Sequence, residues 1–493
     1  MLKIINCMKK QKFLFIFCAM LSFASTAQLA TEKRIEIELR KGYSYEKIYH
    51  SSEGFFVMAS TADKEVDGQI EEKYDFYNSD LELIKTETIL VPEGLNYDLS
   101  YSNDESLFIL YNNWKKGELF ISEIQINMQE VSGTKVAIEP KASIDNMIVL
   151  GDQAYLYMFT KEGHELYNID LESGTGTEIP FHFGSRTSKS LDLFYFQVLE
   201  RTKEIFFIEY VYNENGSYET YIISITKNNT INDPVKISEN FENGLLSVTP
   251  YRIDEETMIL TGTYSKMNQY SQGIYFCQVT NGFIDYIHYY NFLDLKDFIP
   301  YLPEQAQKEI ERKQKTAEKN DKELLLNYSM VNHDIIILDD GYLFLGEACY
   351  PTYKEIIYEN SSQIVFDGYD YTHAVLCKFS KTGEIMWNTC FEMDPAYKLH
   401  VPKCLIAVTE QTNSQISMVY ASGNDLISKT VDYDGEIVNE EKKTFFESGD
   451  SKTKNTFSHL EHWYGSSFLA YGSQEIKDGN KKRKVYFINK IEF

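Results

Sequence analysis

Proline and tryptophan are both scarce, with 10 and 3 among 493 residues. Collagen-like and polyproline architectures are thereby excluded. Seven cysteines are scattered without a single CxxC pair, so neither a zinc ribbon nor a dense disulfide framework is encoded. No apolar run reaches the roughly 20 residues of a membrane helix, and the most apolar, Phe13 to Phe23, stops short. Positive charge is in deficit: 48 Lys and Arg face 74 Asp and Glu, a net charge of −26. Phosphate backbones and anionic lipids repel such a chain, so nucleic acid is not an expected partner. Cationic partners, divalent ions and plain solubility all remain open. GxSxG, P-loop and dinucleotide fingerprints are missing as well.

Residues 1–27 read as a signal peptide. Met8-Lys9-Lys10-Gln11-Lys12 is a basic start, Phe13 to Phe23 the apolar segment, and Ser25-Thr26-Ala27 a small-residue cleavage site before Gln28. Cys18 lacks a lipobox-like context. Removing this segment takes four Lys and no acid, which deepens the net charge to −30. The expected product is a monomer without a transmembrane segment, periplasmic or extracellular in a Gram-negative-like bacterium. Five cysteines survive: Cys277, Cys349, Cys377, Cys390 and Cys404. A Cys349–Cys377 disulfide is open; buried thiols in strands are the simpler reading.

Tyr and Phe are abundant, at 37 and 31. They gather in short runs that recur along the chain, beginning at Phe55, Leu107, Ala154, Ile205, Thr257, Tyr342, Ile416 and Phe468. Five of the seven intervals are 47 to 52 residues, which favours true repeats over chance. Strand composition at that period predicts the blades of one β-propeller over 28–493, all-β. The first blade should comprise Tyr45–His50, Phe55–Ser60, Lys73–Tyr77 and Ile84–Val91. Eight blades are expected, with seven as the alternative. Val485 to Phe493 leaves the last blade one strand short, and Arg34–Leu39 alternates cleanly, so it should complete that blade.

Two insertions interrupt the rhythm around blade six. The first, 292–328, contains a helix begun by Pro303, with i,i+4 pairs Glu304–Lys308, Glu309–Lys313 and Glu311–Lys315. A solvated surface helix and a partner-docking lid both fit it. The second, 350–371, reads as a Tyr-rich loop. In a four-stranded antiparallel blade both insertions emerge at one end. His333 and Asp334 should lie near the start of the first strand, Glu347 near the end of the second, and His373 at the start of the third. Together with Asp367 and Tyr371 they form the candidate binding site. Such a cluster suits metal binding or acid–base work, though its spacings match no known motif; structural hydrogen bonding is the competing reading. No metal or cofactor is expected. Asp432 and Asp434 before Gly435 read as a hairpin turn, since the rest of a calcium loop is missing.

Phe379-Ser-Lys-Thr-Gly-Glu-Ile-Met-Trp387 resembles the turn of quinoprotein-type propeller repeats. That resemblance implies a structural role for Thr382 and Gly383, with Trp387 docking between adjacent blades. Residues 333–353 and 366–387 are similar to a region of uncharacterised secreted bacterial propellers. This second resemblance implies a propeller and brings no activity with it. Propellers host many functions. The leading expectation is a non-catalytic module binding a protein or envelope ligand above blade six. The alternatives are a glycan- or polymer-acting enzyme using His333, Glu347 and His373, and an outer-membrane assembly scaffold.

Overall fold

A computed structural model describes residues 30–492, except 39–41, 63–67, 139–141, 162, 181–190, 200–202, 213–217, 227, 239–242, 267–269, 297, 301–303, 359–360, 396–397, 412–413, 424, 445–451 and 479–480. The proposed signal peptide, Leu39 and Pro303 therefore lie outside the described residues.

Eight antiparallel sheets succeed one another, and seven are built from consecutive strands. Blade one is Tyr43–His50, Phe56–Ala62, Ile70–Tyr77 and Leu83–Val91, the four strands expected. The eighth blade is composite. Lys452–Tyr464, Ser467–Asp478 and Lys481–Glu492 are completed by Ala30–Glu38 from the other end of the chain. Ile35 pairs with Ile488 and Ile37 with Tyr486. The fold is an eight-bladed propeller closed by its N-terminal strand.

The core lies between blades, because the middle strands are apolar on both faces. Successive side chains point to opposite faces of a strand. In blade six, Leu343 and Leu345 pack toward Ile416 and Met418 of blade seven. Tyr342 and Phe344 pack toward Ile259 and Phe276 of blade five. Each such side chain contributes about 1.5–3 kcal/mol on full burial, so the abundance of Tyr and Phe is spent on these junctions. First strands carry a bulge in blades one, two, three, four and eight. In blades five and six they are split in two. Bulges re-aim side chains near a sheet's rim.

The two insertions differ in kind. The first contains the helix Glu304–Glu318, exposed over most of its length. Glu304–Lys308 and Glu309–Lys313 pair at 2.5 and 2.7 Å. The second is not a loop. Strands two and three of blade six simply continue, as Gly341–Tyr358 and Ser361–Ser380, paired from Gly341↔Ser380 to Tyr358↔Ser361. β-Branched and aromatic residues in this stretch favour the extended state. The result is a two-stranded arm rising beyond the sheet.

Among the described residues no helix is long and apolar enough to cross a membrane. The five cysteines among the described residues are free. Cys349 faces blade seven and Cys377 faces blade five, so the disulfide considered between them is not formed.

Candidate functional site

Blade six begins with Ser329–Asn332, then an irregular step, then Ile336–Leu338. The step swings His333 over the second strand well before its tip, where its Nε2 lies 2.7 Å from Glu347 Oε1. Glu347 is fully buried. It shares the Leu343 and Leu345 face and reaches blade seven. There its carboxylate accepts the backbone N–H groups of Leu405 at 3.0 Å and Ile406 at 2.9 Å. These amides precede the short first strand Ala407–Gln411. Glu347 thus takes the place of a sheet partner for them, and buried amides demand one. Asp334 is exposed at the rim.

His373 does not join this pair. Glu347 is paired with Ala374, and partners across a ladder share a face. His373, the next residue, must point the other way, toward blade five. It is fully buried between Phe298 and Tyr328, ring centroids 5.0 and 5.2 Å away. Its Nδ1 lies 2.9 Å from Thr372 Oγ1. Burial pushes its pKa down to about 3, so the ring is neutral. A single centre of His333, Glu347 and His373 is not formed, because one residue of register separates the two faces.

A residue from the next blade stands where His373 was expected. Cys404, His333 and Glu347 bring sulfur, nitrogen and oxygen atoms within 4.8 Å of one another. That donor set suits zinc. Both Glu347 oxygens, however, already serve backbone amides. The Cys404 thiol bonds to the Asn332 carbonyl at 3.4 Å. Burial, then the charges of Glu347 and Asp334, push the thiol pKa up, away from the thiolate a metal requires. The cluster is tied into the fold as a clasp between blades six and seven. Sequence spacing carries no sign of Cys404, which is brought in by the ring.

Asp367 and Tyr371 belong to the arm and its base. Asp367 pairs with Lys354 at 2.7 Å and Lys398 at 3.5 Å, and the Lys354 bond holds its pKa below the usual range. The Tyr371 hydroxyl donates to the Lys403 carbonyl at 2.5 Å and accepts the Lys403 amide at 2.9 Å. Tyr369 pairs with Leu399 through a backbone bridge. The arm is therefore braced at its base by the segment leading to blade seven.

Thr382 and Gly383 lie in the turn between the third and fourth strands of blade six. Gly383 has φ +80°, and a Cβ there would meet Phe276 at 2.4 Å. Thr382 Oγ1 lies 2.9 Å from Ser380 Oγ. Trp387 reaches blade seven, where its Nε1 donates to the Tyr433 carbonyl at 3.0 Å and its ring covers Gly435. Asp432 accepts the Asp434 and Glu436 amides at 3.0 and 2.9 Å, a hairpin turn.

No family model matches the sequence, and no curated protein matches it. Similarity to solved structures is low. The Dos1 propeller has 7% identity and a TM-score of 0.42, over 94% of this chain and 95% of that one. The polysaccharide lyase Uly1 has 8% identity and a TM-score of 0.39, over 94% and 99%. The propeller domain of the Trilobed protease from Pyrococcus furiosus has 10% identity and a TM-score of 0.33, over 84% and 98%. Two of these three are propellers by name; likeness at this level carries no argument about this chain.

Proposed function

We propose that this protein is an exported binding propeller and that the blade-six arm recognises a protein partner. One observation supports this reading above all: the arm holds an apolar stripe in open solvent. Tyr353 pairs with Phe366, Glu355 with Ile364 and Ile357 with Ser362, so Tyr353, Ile357, Ile364 and Phe366 share one face. Ile357, Ile364 and Tyr353 are 77%, 73% and 64% exposed. Exposed apolar ribbon invites aggregation unless a partner covers it. The bracing at Tyr369, Tyr371 and Lys398 holds the stripe in place before any partner arrives, which lowers the ordering cost of binding. An outer-membrane assembly scaffold is the special case in which the partner is an envelope protein. The enzyme alternative required His333, Glu347 and His373 at one centre, and that requirement is not met.

The triple variant Tyr353→Ser, Ile357→Ser, Ile364→Ser tests the reading. Affinity purification from the native envelope is run with wild type and variant side by side. The expected result is a partner enriched with wild type and reduced about tenfold or more with the variant. The melting temperature should not change, because the three side chains are solvent-exposed. Identical partner lists would overturn the role of the arm.

A further inference from the structure

Four blades around the ring from the clasp, the junction of blades two and three is built on the same plan and left open. Tyr97 pairs with Tyr111 in blade two, as Asn332 pairs with Gly346 in blade six. In both blades the residues that follow those partners form a polar pair. It is His333 with Glu347 in blade six, and Asp98 with Asn112 in blade two, at 3.1 Å. Glu347 crosses to the next blade and seals its junction. Among the described residues, neither Asp98 nor Asn112 hydrogen-bonds to blade three. A groove of about 500 Å³ occupies the space that the clasp fills on the other side.

We infer that this groove binds a neutral saccharide. Its volume falls within the range of small-molecule sites. Trp114, on a turn of blade two, and Phe159, the last residue of the second strand of blade three, are 52% and 47% exposed and flank the opening. Flat apolar rings of this kind pack against the C–H faces of a sugar. Between them lie Asp98, Asn112, Ser143 and Thr160, with Lys161 at the edge. Sugar hydroxyls both donate and accept, and this set offers both functions. Asn112 is about nine-tenths buried, and its Nδ2 is committed to Asp98 while its Oδ1 accepts no hydrogen bond. A buried amide oxygen left unpaired is costly, and a ligand hydroxyl would relieve it. Phosphate- or carboxylate-bearing ligands are opposed by Asp98 and by the net charge of −26. A purely apolar ligand would leave the Asn112 amide oxygen and the Ser143 hydroxyl desolvated without a partner. The groove is distinct from the arm, and its occupancy does not depend on the arm's function.

The chain carries its own reporter. Of its three tryptophans, Trp463 is buried and bonded to the Phe55 carbonyl, and Trp387 is docked on blade seven. Trp114 alone stands in solvent at the groove. The intact protein is titrated with the neutral hexasaccharides of cellulose, laminarin, mannan and xylan, and with a galacturonate hexamer, while tryptophan emission is followed. At least one neutral oligomer should shift the emission, and the galacturonate should not. Calorimetry should show about a tenfold or greater loss of affinity in Trp114→Ala and in Asn112→Ala. Trp114→Ala is an exposed substitution, so its melting temperature should stay at the wild-type value and exclude misfolding. Silence of every neutral oligomer at about 10 mM, or undiminished binding in both variants, overturns the inference.

Discussion

His373 shows how one side chain can be mistaken for chemistry. A histidine beside an insertion looks functional, yet here it is a neutral ring in an aromatic slot between Phe298 and Tyr328. That environment makes it a stability element with a definite pH dependence. Its folded pKa, about 3, lies below the ordinary 6.5. Below pH 6.5 the unfolded chain takes up a proton that the folded chain refuses. The contribution is therefore complete above pH 6.5 and is lost as pH falls toward 3. Between pH 7 and pH 5 the loss from this one group is about 2 kcal/mol. Denaturant unfolding of wild type and His373→Phe at both pH values isolates it, since other titrating groups cancel in the difference. The variant should lose about 2 kcal/mol less on acidification. Equal losses in both proteins would show that His373 is not held neutral.

At the level of strands and their pairing, much could be read from the chain and some could not. The apolar runs at Phe55, Leu107 and their successors mark the second strands because those strands are buried on both faces. The alternation of Arg34 to Leu39 marked the closing strand. The arm reads as a loop in the sequence because it breaks the spacing of the repeat, and only the pairing of its two halves shows it to be continuous strand. Placing Glu347 and His373 together failed on a register of one residue, which decides the face and is set by pairing rather than composition. Leu405, Ile406 and Cys404 were invisible as partners of Glu347, since only the ring brings them near. The clasp itself is testable. Glu347→Ala leaves two backbone amides and His333 without their acceptor inside a packed junction. The expected loss is about 3–5 kcal/mol in urea unfolding. Glu347→Gln keeps one carbonyl acceptor and should fall between alanine and wild type. A change below about 0.5 kcal/mol for Glu347→Ala would mean that the amides find other partners.

Across the whole molecule, closure binds the ring together. The last blade joins segments more than 400 residues apart, and its fourth strand is held by more than backbone pairing. Arg34 lies over the Phe487 ring at 5.0 Å and donates to Gln474 at 2.7 Å. Glu36 accepts from Arg483 at 2.7 Å. Ile35 and Ile37 pack against the junction of blades eight and one, beside Tyr471 and Ile488. A chain lacking residues 28–38 would expose Val485 to Ile491 as an unpaired edge, a ready template for another copy. Losing two half-buried isoleucines and a ladder should cost about 2–4 kcal/mol. Such a chain should therefore melt earlier and self-associate on size-exclusion chromatography as its concentration rises. A synthetic peptide covering residues 30–39 should reverse that self-association by adding back the missing strand. If the shortened chain elutes and melts with the full-length protein, the eighth blade is stable with three strands and the N-terminal strand does not seal the ring.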